Sequence, residues 1–402
     1  MKKPILFLAS VIFTINLSFS QQCLPDGITF SSQDMIDNFQ QNYPNCFEIQ
    51  GDVVVTDPDN MHITNLTGLN VITSILGDLI VIDNHWLSNF SGLQNLNYLG
   101  GSLEINNNGT LTNFSAIYGL DSIRGDLLII DNGWLLNIDG LHNLSCIEGD
   151  LKITGCHELL NVGGLSNLKS IMGNLQISDN NSLTDIIGLG SLISIGNSFT
   201  LSYNYGLIDI DGINQLSSIN GNLDISSNWE LESIVGLSNL TQVNGAISIV
   251  DNKNLNSLEG LDNIDHNTIE ELTIIFNHNL STCEVESVCE YLSTINYVAN
   301  IGLNENNCNS VQEVLASCLV NVESENKKNI IVYPNPANSI IHISAINRSE
   351  IEDVYIYNHI GQKQLVNLDN TNSINISNLI PGMHYVEIVV NGAIYRQKLI
   401  IK

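Results

Sequence analysis

The sequence predicts a mainly β protein: a right-handed parallel β-solenoid of 24-residue repeats with small helical caps, followed by a C-terminal antiparallel β-sandwich. Three observations predict it. An apolar pattern led by glycine returns every 24 residues. Cysteines gather at both ends of that pattern. Beyond the repeat and its cap the composition shifts at 322–328, and alternating strands separated by turn residues take over.

Gly77, Gly101, Gly125, Gly149, Gly173, Asn197, Gly221 and Gly245 open successive units. The unit reads G-[DNS]-L-x-I-x-x-N-x-x-L-x-x-[IFV]-x-G-L-x-x-L-x-S-[IL]-x, with divergent copies at Gly51 and near Glu270. In G-x-L-x-I the apolar residues alternate, as in a short strand with one buried face. Glycine opens the strand where the chain turns sharply. Seven residues later stands Asn84, Asn108, Asn132, Asn180, Asn204, Asn228 or Asn252. A side-chain amide at that corner satisfies turn backbone groups and stacks into a ladder. One coil cannot bury its apolar face alone, so about ten coils stack into a continuous core.

This pattern resembles the receptor L-domain family, the leucine-rich-repeat-like β-helix of growth-factor-receptor ectodomains. The entry segment from Phe39 through Cys46 to Gly51 is similar to that family too. The resemblance covers roughly Cys23 to Asn277. It implies a solenoid of a class used for binding; it does not imply a hormone ligand.

The first twenty residues read as a signal peptide. Lys2 and Lys3 precede an apolar run to Leu17, and Ser18-Phe19-Ser20 offers a small-x-small cleavage site. No later segment is apolar for long enough to span a bilayer, so no transmembrane segment is expected after cleavage. An exported chain permits disulfides. Cys23 and Cys46 flank a helical stretch, Ser31 to Asn42, with Met35, Ile36 and Phe39 on one face. Together they make an N-terminal cap over 21–50, before the solenoid at 51–282. A C-terminal cap over 283–321 holds Cys283, Cys289, Cys308 and Cys318, with helices expected at Glu284 to Leu292 and Ser310 to Ala316. It resembles the cysteine-bearing caps of extracellular leucine-rich repeats. Four cysteines allow three pairings, and a zinc site is the alternative to disulfides. Cys146 and Cys156 read as ladder substitutes, with a disulfide between them left open.

A polar linker, 322–328, leads to the last segment, 329–402. Strands are expected at Ile340 to Ile343, Val354 to Tyr357, His384 to Val390 and Tyr395 to Ile401. Four elements stand in order: Tyr333-Pro334-Asn335-Pro336, a turn at Gly361, Gly382 with Tyr385, and a terminal run from Lys398 to Lys402. This set resembles the type A sorting domain of type IX secretion, a Bacteroidetes system. The resemblance implies an outer-membrane translocon and sortase-like attachment machinery as partners. It implies a secreted or outer-membrane cell-surface location, and those nine residues as the sorting signal.

Formal charge is −29, almost all of it ahead of residue 329. Such a surface repels nucleic acid and anionic lipid. No HExxH helix, P-loop, G-x-S-x-G elbow or Rossmann glycine run is present, so no enzymatic activity is expected. A polysaccharide-degrading β-helix would need a carboxylate cluster out of register. Here Asp78, Asp126 and Asp150 recur in register, which suits turns. No cofactor is expected, calcium along that carboxylate ladder being the one alternative. Trp86 and Trp134 share a turn position two coils apart, beside strands whose outward residues include Ile80 and Leu128. These four residues form the candidate binding patch for a protein or glycan ligand. The expected function is recognition or adhesion at the cell surface, with a structural envelope spacer as the alternative.

Overall fold

The computed structural model describes residues 22–59, 62–318, 331–344, 351–358, 363–366, 368–369, 372–390 and 393–402. The expected signal peptide and the expected linker at 322–328 lie outside the described residues. The chain divides into two compact units, one ending at Val314 and one beginning at Leu315.

The first unit is a parallel-stranded solenoid. Its main sheet holds twelve strands, running in sequence order from Ile28–Phe30 to Ala299–Gly302. Each repeat contributes one four-residue strand, such as Leu127–Ile130, which pairs in register with Leu103–Asn106 and Leu151–Thr154. Alternate residues of each strand are buried, so Leu127 and Ile129 face the core while Leu128 and Ile130 face out. A second wall is built from two-residue strands, such as Ser170–Ile171. Between the walls, most coils pass through a 3-10 turn, such as Gly163–Leu165. An Asx turn starts it: Asn161 Oδ1 accepts the Gly163 N–H at 2.9 Å. At Gly164 and Gly188 the chain lies against the carbonyls of Ile138 and Val162 in the preceding coil, so that a Cβ would collide with backbone. The repeat glycine therefore marks the closest approach between coils.

The asparagines form the expected ladder, and all are fully buried. The Asn204 Oδ1 accepts the Asn180 N–H at 3.2 Å, and its Nδ2 donates to the Ile177 carbonyl at 2.9 Å. The same geometry repeats at Asn108, Asn132, Asn180, Asn228 and Asn252. It continues through Asn277 and Asn304, two rungs from the divergent coils. Cys156 replaces the amide of one rung. Its backbone N–H still donates to Asn180 Oδ1, and Cys146 and Cys156 are both free thiols. Burial pushes the Cys156 thiol up to about 12, partly offset by the N–H of Asn132. The residue before each rung has positive φ. Asp83, Asn107, Asp131, Asp179 and Asp251 suit that conformation, whereas Tyr203, Ser227, Phe276 and Leu303 adopt it against their preference.

The N-terminal cap is two short helices rather than one, Gln33–Asp37 and Phe39–Asn42. Ile36 and Phe39 are buried as expected, but Met35 is exposed. Neighbouring helical residues point about 100° apart, so Ile36 and Phe39 turn inward while Met35 does not. Cys23 bonds to Cys46, and Cys283 to Cys308. Cys289 and Cys318 are also in disulfides. Helices in the C-terminal cap cover Glu286–Leu292 and residues 311–318.

Among the described residues, the second unit is a β-sandwich of seven antiparallel strands. One sheet joins Ile331–Tyr333, Ile340–Ser344 and Ser373–Asn375. The other orders Lys363–Val366, Ile351–Tyr357, Gly382–Val390 and Ala393–Ile401. Val332, Ile341, Ile374, Val354, Ile388 and Leu399 from both sheets share one core.

Asn204→Ala orphans the Asn180 N–H and the Ile177 carbonyl, and should cost roughly 3 kcal/mol in urea unfolding of the full chain. Cys156→Asn restores the missing rung and should raise stability by about 1 kcal/mol. Above pH 9 the unfolded chain ionises Cys156 while the folded chain does not, so this residue lowers stability as pH rises toward 12. Unfolding midpoints of the native chain and Cys156→Asn should therefore diverge across that window; parallel curves would refute the buried thiol.

Candidate functional site

Two surfaces answer to the candidate residues, one in each unit. The first lies in the β-sandwich. Proline lacks a backbone N–H, so a segment with Pro334 and Pro336 cannot pair fully as a strand. Both bonds preceding these prolines are cis. Asn335, between them, supplies the missing pairing through its side chain. Its Nδ2 donates to the Lys398 carbonyl at 2.6 Å, and its Oδ1 accepts the Ile400 N–H at 2.9 Å. An amide side chain thus stands in for a peptide group beside the strand Ala393–Ile401. Backbone bonds continue the strap: Ala337 donates to Ile400, and Lys402 donates to Ala337. On the other edge of that strand, Tyr385 lies opposite Lys398, and Gly382 opposite Ile401. Gly382 has φ of 136°, a region that disfavours side chains.

The structure therefore gathers Tyr333, Pro334, Asn335, Pro336, Gly382, Tyr385, Lys398 and Lys402 around the final strand. Tyr333, Tyr385 and Ile400 keep about half of their surface exposed. Gly361 lies outside the described residues. Sequence reading missed a neighbouring cluster whose members come from three strands. Glu387, almost fully buried, accepts from Tyr357 Oη at 2.9 Å and Lys363 Nζ at 3.0 Å. Lys363 also lies over the Tyr355 ring, 3.6 Å from its centre. Hydrogen bonds to Tyr357 and Glu387 hold the Lys363 ammonium above its ordinary range. Lys363 lines a cleft of about 640 Å³ with Ile356, Leu379, Ile380 and His384.

The second surface is the outer face and turn edge of the solenoid. Ile80 and Leu128 face outward but are not neighbours. The strand Leu103–Asn106 runs between them and puts Glu104 in the gap. Asn106 likewise separates Ile82 from Ile130. The apolar patch is therefore split by a polar row. Trp86 and Trp134 are 48% and 66% exposed. Trp86 leans on His62, with ring centres 4.8 Å apart. The third tryptophan, Trp229, was not singled out from sequence. It is held between Tyr205, at 4.5 Å, and Lys253, at 3.3 Å, and its Nε1 donates to Asp251.

The periodic carboxylates have structural partners. Asp78 Oδ1 accepts the Ser102 N–H, Asp126 Oδ1 the Asp150 N–H, and Asp150 Oδ1 the Asn174 N–H. They form a second ladder at the corner where each strand begins. Among the described residues, no three His, Cys, Asp or Glu side chains group as metal ligands. Asp224, on the outer face, is raised above the usual carboxylate range by burial, against a hydrogen bond from Ser226.

If the Asn335 amide closes the strap, Asn335→Ala should loosen the end of the last strand. The expected result is faster limited proteolysis within 331–402 of the full chain, with the solenoid untouched. A cleavage rate equal to the native chain would remove the clamp from the argument.

Residues 331–402 match the family described as the secretion system C-terminal sorting domain. A search of curated proteins found no match. The C-terminal unit is thus a type IX secretion sorting domain, which directs export to the cell surface or the extracellular space.

Proposed function

We propose that this chain is a recognition or adhesion protein displayed on the outer cell surface, in which the sorting domain delivers the solenoid as cargo. The observation that carries the reading is the pairing itself: a long parallel-stranded solenoid in one compact unit, and an export domain in the other. Stacked coils make an extended surface whose outward residues vary while the core repeats, which suits binding. The resemblance to receptor L-domains points the same way. The translocon and sortase-like attachment machinery are the partners at the export stage, and the ligand is a protein or glycan. The proposal assigns the chain no catalytic step.

A structural envelope spacer is the second reading. What favours it is the outer face of the later coils, where Gln176, Thr200, Asp224 and Ser248 follow one another with no apolar residue.

The test is made in the native cells. Full-length protein should be accessible to surface proteolysis or antibody on intact cells, with a mature N-terminus near Gln21. Deleting 331–402 should strand it inside the outer membrane. Surface exposure without 331–402 would overturn the export role. Surface exposure with no loss of cell attachment on deleting the whole gene would favour the spacer.

A further inference from the structure

The three tryptophans of the chain all lie on one edge of the solenoid, in the turns that follow the asparagine ladder. Trp229 has its ring faces engaged by Tyr205 and Lys253. Trp86 and Trp134 are more exposed and occupy the same position of their coils, with the His62 ring against Trp86 at 4.8 Å. The coil between them presents Gly109 and Thr110 at that edge, and a side chain added at Gly133 would meet nothing within 4 Å. Between the two indoles the edge also carries the His85 ring, whose Nδ1 lies 3.1 Å from where a Cβ of Gly109 would stand. The separation of the indoles along the solenoid axis is two strand spacings, about 10 Å. That is the scale of two sugar rings in an extended polysaccharide. The same turns carry Asp83, Asn107 and Asp131, which bring hydrogen-bonding groups to the edge.

We propose that Trp86 and Trp134 form a two-platform site for a neutral polysaccharide strand lying along the solenoid axis. The inference rests on the recognition reading and names its ligand class. Each indole stacks on the apolar face of a sugar ring, and the carboxylates and amide beside them take its hydroxyls. Charge selects among polymers. Between residues 4 and 326 the basic residues are Arg124, Lys152, Lys169 and Lys253, so nucleic acid and uronate-rich glycans are repelled. A flat partner with a short axial repeat matches two plates set in register better than a folded protein surface does.

The experiment uses the full secreted chain against a panel of soluble neutral polysaccharides (β-1,4-glucan, β-1,3-glucan, xylan, mannan and glycol chitin), with alginate and polylysine as charged controls. Affinity electrophoresis measures retardation, and tryptophan fluorescence follows the site, with Trp229→Phe removing the third reporter. Retardation by at least one neutral polymer is expected. Trp86→Ala with Trp134→Ala should weaken it at least tenfold, each single change should weaken it less, and the Phe replacements should keep most of it. Circular dichroism and the unfolding midpoint should stay at native values, because both indoles are exposed. The site is refuted if no neutral polymer retards the chain, if alginate or polylysine alone does, or if the double Ala variant binds as well as the native chain. Ligand capture that survives the double Ala variant leaves the recognition reading standing and removes this site. Failure of surface exposure in intact cells strikes the recognition reading itself.

Discussion

Each coil of the solenoid turns through a buried corner where backbone groups have no water to bond, and an asparagine amide from the next coil satisfies them. The amide is well matched to this task. One oxygen accepts the N–H of the preceding rung, and one nitrogen reaches a strand carbonyl of the preceding coil. Leaving either group buried and unpaired costs about 1–3 kcal/mol, comparable to a large core contact. The rest follows from that corner. It sets the register of the twelve-stranded sheet, brings the glycine turns against one another, and fixes the edge on which the tryptophans stand.

The ladder also shows how it starts and stops. At the N-terminal end, Asn84 Oδ1 is buried without a partner. The residue opposite it in the preceding coil is Pro58, which has no N–H to give. At the other end, the Asn304 Nδ2 donates to the Cys308 carbonyl, and Cys308 is bridged to Cys283. The ladder thus passes into a covalent cap. In the sorting domain one asparagine does a related thing. Asn335 takes the place of a peptide group between two prolines, so both units use a side-chain amide where the backbone cannot bond itself.

Much of this was legible in the sequence because the repeat is chemical as well as numerical. Gly, Leu, Ile and Asn recur at fixed offsets, and each offset has one physical use. Asn277 and Asn304 escaped because their coils are 25 and 27 residues long and leave the register. The positive φ before each rung is hidden by composition, since Tyr203 and Phe276 share it with aspartates. The split between Ile80 and Leu128 was readable from the repeat, because strand order equals coil order and Glu104 lies between. The strap at Asn335 was not. The motif is visible, but its partners lie 63 to 65 residues away, and no local pattern announces them. The Lys363, Tyr357 and Glu387 cluster is assembled the same way, by sheet pairing between distant strands.

The thiol at Cys156 has a further consequence. Stacked coils act as springs in series, and each junction bears the same load when the two ends are drawn apart. Rungs made of amides share that load between strand hydrogen bonds and side-chain hydrogen bonds. At the junction between the coils of Asn132 and Cys156, a weak sulfur acceptor stands where an amide oxygen would be. A solenoid pulled along its axis would yield first at that joint, separating into a shorter segment with the N-terminal disulfide and a longer one with the C-terminal cap. The rung that contributes least to the fold at rest would then act as its mechanical fuse.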